Sequence, residues 1–231
     1  GERTIRLDQP QVMGIINMTP DSFSDGGKNA DIETAVDAAF AMTSAGAAMI
    51  DVGGESTRPG APLVWEGDEI SRVEPLIRRL AASGTAISID TRKAAVMEAA
   101  VTAGAAMIND ISALLFDDRS LEVAKTLNVP VVLMHAPSHG TDPHKGGDYD
   151  DVVTNVFDWL EERVEAVEAA GISRDKILVD PGIGFGKDLG GNLDLLAHLD
   201  HLVATGWPVA LGTSRKSSLG VLSGRADRRA R

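Results

Sequence analysis

The sequence predicts an α/β protein, a TIM-type (β/α)8 barrel with seven strand-helix units visible and the eighth missing from the pattern. Three observations predict it. Short apolar runs alternate with longer Ala-rich helical stretches, as they do where parallel strands are joined by right-handed crossover helices. The apolar runs are nearly continuous instead of alternating with polar residues, as strands covered on both faces are. Almost every run ends in a polar residue. A closed barrel brings all its strand ends to one mouth, whereas an open sheet gathers function at one switch point.

The elements follow in order. The first strand, residues 12–16, ends at Asn17 and leads through a Pro- and Gly-bearing loop to a helix over 32–45, which stops at Gly46. The second strand, 47–52, has Asp51 near its end. The third, 86–89, ends at Asp90 and precedes a helix over 94–103, closed by Gly104. The fourth, 105–108, ends at Asn109 and precedes a helix over 121–127. The fifth, 129–134, ends at His135 and opens a long loop over 136–151, then a helix over 155–170 closed by Gly171. The sixth, 176–179, ends at Asp180 and precedes a helix over 192–204 closed by Gly206. The seventh, 208–211, ends near Thr213 and Ser214, and a short helix starts near Lys216. Glycines at those helix ends suit left-handed caps.

The 231 residues, 43% hydrophobic, suffice for one domain over 1–231, slightly short of the roughly 250 residues of a complete barrel. The net charge of −12 disfavours nucleic acid and anionic membrane surfaces, so an anionic substrate must be held by a few placed cations. The absence of cysteine excludes disulfides, thiolate metal sites and Cys nucleophiles. No signal-peptide pattern or bilayer-length apolar run is found, which makes the cytoplasm the expected location.

The strand-end loops carry the chemistry. Asn17 can offer its amide oxygen to Mg2+ or its amide NH2 to a phosphate, with Asp21 and Asp25 as helpers or as parts of a solvated turn. After the second strand, Gly53 and Gly54 allow close backbone approach to a ligand. Arg58 can grip phosphate oxygens with its planar fork, flanked by Thr57 and Pro59. Asp90, Asn109 and Asp180 suit a flat heterocycle with an amide and an amino group, unless Asp90 and Asp110 cap the elements that follow. Lys216 is the best cation to project into the mouth, and Arg215 can point outward instead. His135 reads as a packed residue. His139 and His144, with Asp142 and Asp148, make a weak zinc reading.

Jointly these blocks resemble the dihydropteroate synthase family: 13–27, 51–60, 88–91, 108–111, 133–135, 180–187 and 214–216 occur in family order. The resemblance implies a pterin-binding barrel, targeted by sulfonamides, that joins 6-hydroxymethyl-7,8-dihydropterin pyrophosphate to 4-aminobenzoate. It implies that Asp90, Asn109, Met134, Asp180 and Lys216 bind the pterin. It gives Thr57, Pro59, Phe185, Ser214 and Lys216 to 4-aminobenzoate, and Asn17 and Arg58 to pyrophosphate, with Mg2+ at Asn17. Arg58, Lys216 and Asp90 are the catalytic candidates, and a homodimer is common in the family. An Arg-x-His pair on the family's eighth strand has no counterpart, since Arg228 and Arg229 lack the His. The expectation is a partial chain, unstable or nearly inactive alone. The competing expectations are a methyltetrahydrofolate-binding methyltransferase domain and a non-catalytic pterin-binding fragment.

Overall fold

The computed structural model describes residues 5–19, 28–214, 216–222 and 224. Asp21, Asp25, Arg215, Arg228 and Arg229, named above, lie outside them.

Among the described residues, six parallel strands form one sheet in the order β1 (Met13–Asn17), β2 (Met49–Gly53), β3 (Ile87–Asp90), β4 (Met107–Asp110), β5 (Val131–Met134) and β6 (Ile177–Asp180). Every strand pairs with its successor in sequence. A doubly wound sheet reverses direction at a switch point; a barrel does not. The helices are α1 (Lys28–Ser44), α2 (Glu66–Ala82), α3 (Ala94–Ala103), α4 (Ser120–Leu127), α5 (Val152–Ala169), α6 (Leu189–Ala197), α7 (Leu199–Ala204) and α8 (Ser217–Leu222). A short 3-10 turn, Arg174–Lys176, leads into β6. No helix among the described residues is long and apolar enough to cross a membrane.

The continuous apolar runs behave as predicted. Ile50, Ile87, Ile89, Ile108, Val131, Leu133, Ile177 and Val179 are fully buried, in one cluster with Leu76, Ile77, Leu80, Met97, Leu160 and Val164 of the helices. Each such side chain contributes about 1.5–3 kcal/mol over leaving it in water. Gly46, Gly104, Gly171 and Gly206 all have positive φ, which confirms the caps.

The seventh strand is corrected. Val209 makes only an isolated parallel bridge with Val179, through Val179 N to Pro208 O (3.0 Å) and Ala210 N to Val179 O (2.9 Å). Pro208 has no N–H to extend a ladder. The helix over 192–204 divides into α6 and α7 at His198, whose φ of −107° and ψ of 18° leave the helical region. Sequence reading did not single out α2, because its charges and Pro75 mask the apolar spacing Val73, Leu76, Ile77, Leu80. Several strands also run further than predicted, so Asn17, Asp90, Asn109 and Asp180 lie within them.

Candidate active site

Strand register assembles the site. Across the first four strands, Asn17 pairs with Gly53, Gly53 with Asp90, and Asp90 with Asn109, so these residues form one row at the strand ends. Met134 pairs with Asp180 on the far side of the arc. A Cβ at Gly53 would lie 3.2 Å from Asn17 Oδ1 and 3.4 Å from Asp90 Oδ2. Glycine therefore leaves both polar side chains room at the centre of the row. Asn109 donates from Nδ2 to Asp51 Oδ2 (3.1 Å), which fixes its amide plane and leaves Oδ1 free of that bond.

This floor is acidic. Burial pushes the Asp90 carboxyl well above its ordinary range, and the charges of Asp51, Glu69, Asp110 and Glu55 add to the shift. A neutral carboxyl donates as well as accepts, which suits the mixed edge of a heterocycle. Asp90 does not cap α3; the first N–H of that helix, at Ala94, donates to Asp117 Oδ2 (2.9 Å). Asp110 is the opposite case. It accepts from Ser112 N and Oγ (2.7 Å each) and Leu114 N (2.9 Å), and holds a turn in which Ala113 and Leu114 have positive φ. Its role is the structural one.

Asp180 Oδ1 accepts from Gly182 N (2.7 Å). Burial lifts its carboxyl to about 6, against the pull of Gly182 N–H, Lys216 and Lys187. Burial likewise lowers the Lys187 ammonium to about 7, with Asp180 opposing, and pulls Lys216 down, with Asp180 and Asp90 opposing. The Lys216 Nζ stands 4.0 Å from the centre of the Phe185 ring, a cation–π contact. Gly184, at φ 82°, gives Lys216 its path, for a Cβ there would lie 2.7 Å from Lys216 Cδ. Ile111, Met134, Ala136 and Phe185 form a separate buried apolar cluster beside these polar groups. Thr57 is half-buried, and Arg58, Pro59 and Ser214 are exposed at the rim, as is Asn17.

Sequence reasoning gave several residues no role. Asp51 orients Asn109. Lys187 donates from Nζ to Gly182 O (2.9 Å) and Phe185 O (3.0 Å), shaping the loop after β6. A buried charge network lies under the loop after β2. Glu55 Oε1 accepts from Arg92 Nε (3.0 Å), and its Oε2 accepts from Lys93 Nζ (2.6 Å) and Val64 N (2.8 Å). Lys93 also bonds Glu69, which accepts from Thr91 Oγ1 (2.7 Å). Burial works to raise the Glu55 carboxyl, but Lys93, Val64 N–H and Arg92 outweigh it and leave it below its ordinary value. Arg92 reaches on to Gly140 O (2.8 Å) in the 136–151 loop. The presence of Glu55 in the 51–60 block and of Arg92 and Lys93 after Asp90 was the only signal, and nothing in their spacing shows that they meet.

The zinc reading is set aside. His139 stacks on Trp159 and His144 on Phe185, in different directions, and no metal-holding group of three His, Asp or Glu exists among the described residues. His135 is packed as expected, edge-on to Trp159, with Nδ1 lacking a hydrogen-bond partner among the described residues; burial holds its imidazole down to about 3. Among the described residues, cavities of about 860 and 450 Å3 lie along the 136–151 loop, and neither is lined by Asn17, Gly53, Asp90 or Asn109.

Comparison with known proteins fits this arrangement. Residues 13–231 match the family described as Pterin binding enzyme. Dihydropteroate synthases from Streptococcus pyogenes and Escherichia coli K12 are each 43% identical, over 92% and 95% of this chain and 78% of their own length. A probable bifunctional folylpolyglutamate synthase/dihydropteroate synthase from Haloferax volcanii is 48% identical over 91% of this chain, which spans 25% of that larger protein. Among solved structures, Xanthomonas albilineans dihydropteroate synthase with 4-aminobenzoic acid is 49% identical with a TM-score of 0.89, covering 96% of this chain and 79% of the other. The Yersinia pestis enzyme with a sulfonamide drug complex is 45% identical with a TM-score of 0.88, covering 96% and 81%. The six-strand arc thus corresponds to the barrel of these enzymes, and the chain belongs to the pterin-binding enzyme family, as a dihydropteroate synthase.

Proposed function

We propose that this chain condenses 6-hydroxymethyl-7,8-dihydropterin pyrophosphate with 4-aminobenzoate, giving 7,8-dihydropteroate and pyrophosphate. What supports the proposal is the strand-end row Asn17–Gly53–Asp90–Asn109, with the pairing of Met134 and Asp180 and the pull of Asp180 and Asp90 on the Lys216 ammonium. A solved Xanthomonas albilineans relative, 46% identical, holds 7,8-dihydropteroate.

In this reading Asp180, Asn109 and Asp90 hold the amino-amide edge of the pterin, Met134 packs on its ring, and Lys216 lies between Asp180 and Phe185. Thr57, Pro59, Phe185 and Ser214 receive 4-aminobenzoate, with sulfonamides as competitors for the same place. The aniline nitrogen is neutral at pH 7 and already nucleophilic, so no strong base is required. Expelling pyrophosphate from the methylene carbon is the hard step. Arg58 at the rim neutralises charge that builds on the leaving group, and an ionised Asp180 supports a cationic carbon through the ring. Asn17 fits Mg2+: the residue is exposed, its amide oxygen has room because Gly53 beside it carries no Cβ, and this ion commonly takes one or two protein ligands beside substrate phosphates. When bound, Mg2+ would neutralise pyrophosphate charge. A cytoplasmic location is the expectation of the sequence pattern, and a homodimer that of the family resemblance.

Single-turnover measurement tests the chemistry. Arg58→Ala should slow pyrophosphate release by about 10²–10³-fold, the usual cost of removing one group that stabilises developing charge. An unchanged rate removes Arg58 from the step. Pterin binding without any dihydropteroate would favour the non-catalytic reading instead.

A further inference from the structure

His144 joins two loops that the chain keeps far apart in sequence. Its ring stacks on Phe185 with centroids 4.7 Å apart and planes within 10°. Its Nε2 stands 2.9 Å from the Thr57 carbonyl oxygen, which can only accept, so the proton is on Nε2. One side chain therefore spans the loop after β2 and the loop after β6.

The position is built from below. Asp142 Oδ1 accepts from His144 N (2.9 Å), and Arg92 donates to Gly140 O (2.8 Å). On the other side, Gly147 at φ 104° lies so close to Gly186 that a Cβ would sit 1.8 Å from the Gly186 carbonyl oxygen. Three anchors from three elements thus bracket the imidazole, and its stack on Phe185 is not the chance contact of a solvated side chain.

We propose that His144 is a specificity-determining residue for the arylamine substrate. This deepens the reading above and rests on it, since that reading gives Thr57 and Phe185 to 4-aminobenzoate. His144 forms the outer wall of the pocket. It fixes the tilt of the Phe185 ring and holds the Thr57 backbone, so the space left for the arylamine is set by a residue of the 136–151 loop. The ligand it gauges is a flat aromatic amine of single-ring width.

The full chain tests this by steady-state kinetics with each substrate varied in turn. His144→Ala should raise KM for 4-aminobenzoate about tenfold, the combined loss of one hydrogen bond and one ring contact. KM for the pterin pyrophosphate should stay within about twofold, a smaller change than any lost contact of that kind gives. His144→Phe keeps the stack and His144→Gln keeps a donor for Thr57, so each should fall between parent and alanine. Selectivity should also move towards bulkier arylamines in His144→Ala. An unchanged KM, or equal rises for both substrates, overturns the proposal. A lower KM for 4-aminobenzoate also overturns it, because His144 would then be occupying the arylamine's place. Titrating 4-aminobenzoate onto pterin-loaded protein gives the same comparison without turnover. A parent chain that takes up no 4-aminobenzoate sinks the underlying reading, whereas normal uptake unaffected by His144→Ala sinks this inference alone.

Discussion

Asp180 sits where burial and two lysines pull in opposite directions, and its carboxyl rests at about 6. Only the ionised form accepts two N–H bonds from an amino-amide edge. In the free protein below about pH 6 the proton must leave before the pterin is held. Affinity for 6-hydroxymethylpterin, which carries no phosphate, should therefore climb up to tenfold per pH unit from pH 5 to 6 and level off above. Asp180→Asn should flatten the profile; a slope surviving in that variant assigns it to another group. Sequence reading found Asp180, Asp90 and Asn109 because strand ends in an α/β barrel are functional positions. It could not separate Asp90 from Asp110. Both follow apolar runs, and only the structure shows that Asp110 spends its oxygens on Ser112 and Leu114 while the Asp90 carboxyl lies beside Gly53 in the strand-end row.

At the scale of elements, the loops after β2 and β5 act as a pair. Arg92 binds Glu55 on one side and the Gly140 and Thr141 carbonyls on the other, and also lies 4.2 Å from the centre of the Phe116 ring. A lysine has no fork to span them. Arg92→Lys should raise hydrogen exchange in 54–65 and 136–151 together, while β3 and β4 stay protected. Faster exchange in one loop alone would show that they are not coupled. The sequence located both loops by their Gly and Pro content. Their linkage was invisible because Glu55 and Arg92 lie far apart in the chain and meet only through the pairing of β2 with β3.

Over the whole molecule, two carboxylates and two cations are buried in one network of Glu55, Glu69, Arg92 and Lys93. Such a group adds little net stability when intact but is costly to break. Lys93→Met leaves Glu69 and Glu55 without their shared cation and should lower the unfolding free energy by about 3–5 kcal/mol in urea titration. A change below about 1 kcal/mol, as for an exposed pair, would mean that the network is hydrated. The barrel class was legible because period and polarity repeat over every unit. The seventh strand was overread, since the apolar run around Val209 looks like its predecessors and only Pro208 hints that its ladder is short. The most direct test of the shared mouth is calorimetric titration of 6-hydroxymethyl-7,8-dihydropterin pyrophosphate onto the chain and onto Asp180→Ala, Asn109→Ala and Asp90→Ala. The predicted result is one site per chain, weakened in every variant by about 1–3 kcal/mol, the cost of leaving a buried polar partner unmade. Binding that persists at parent strength in all three would contradict it.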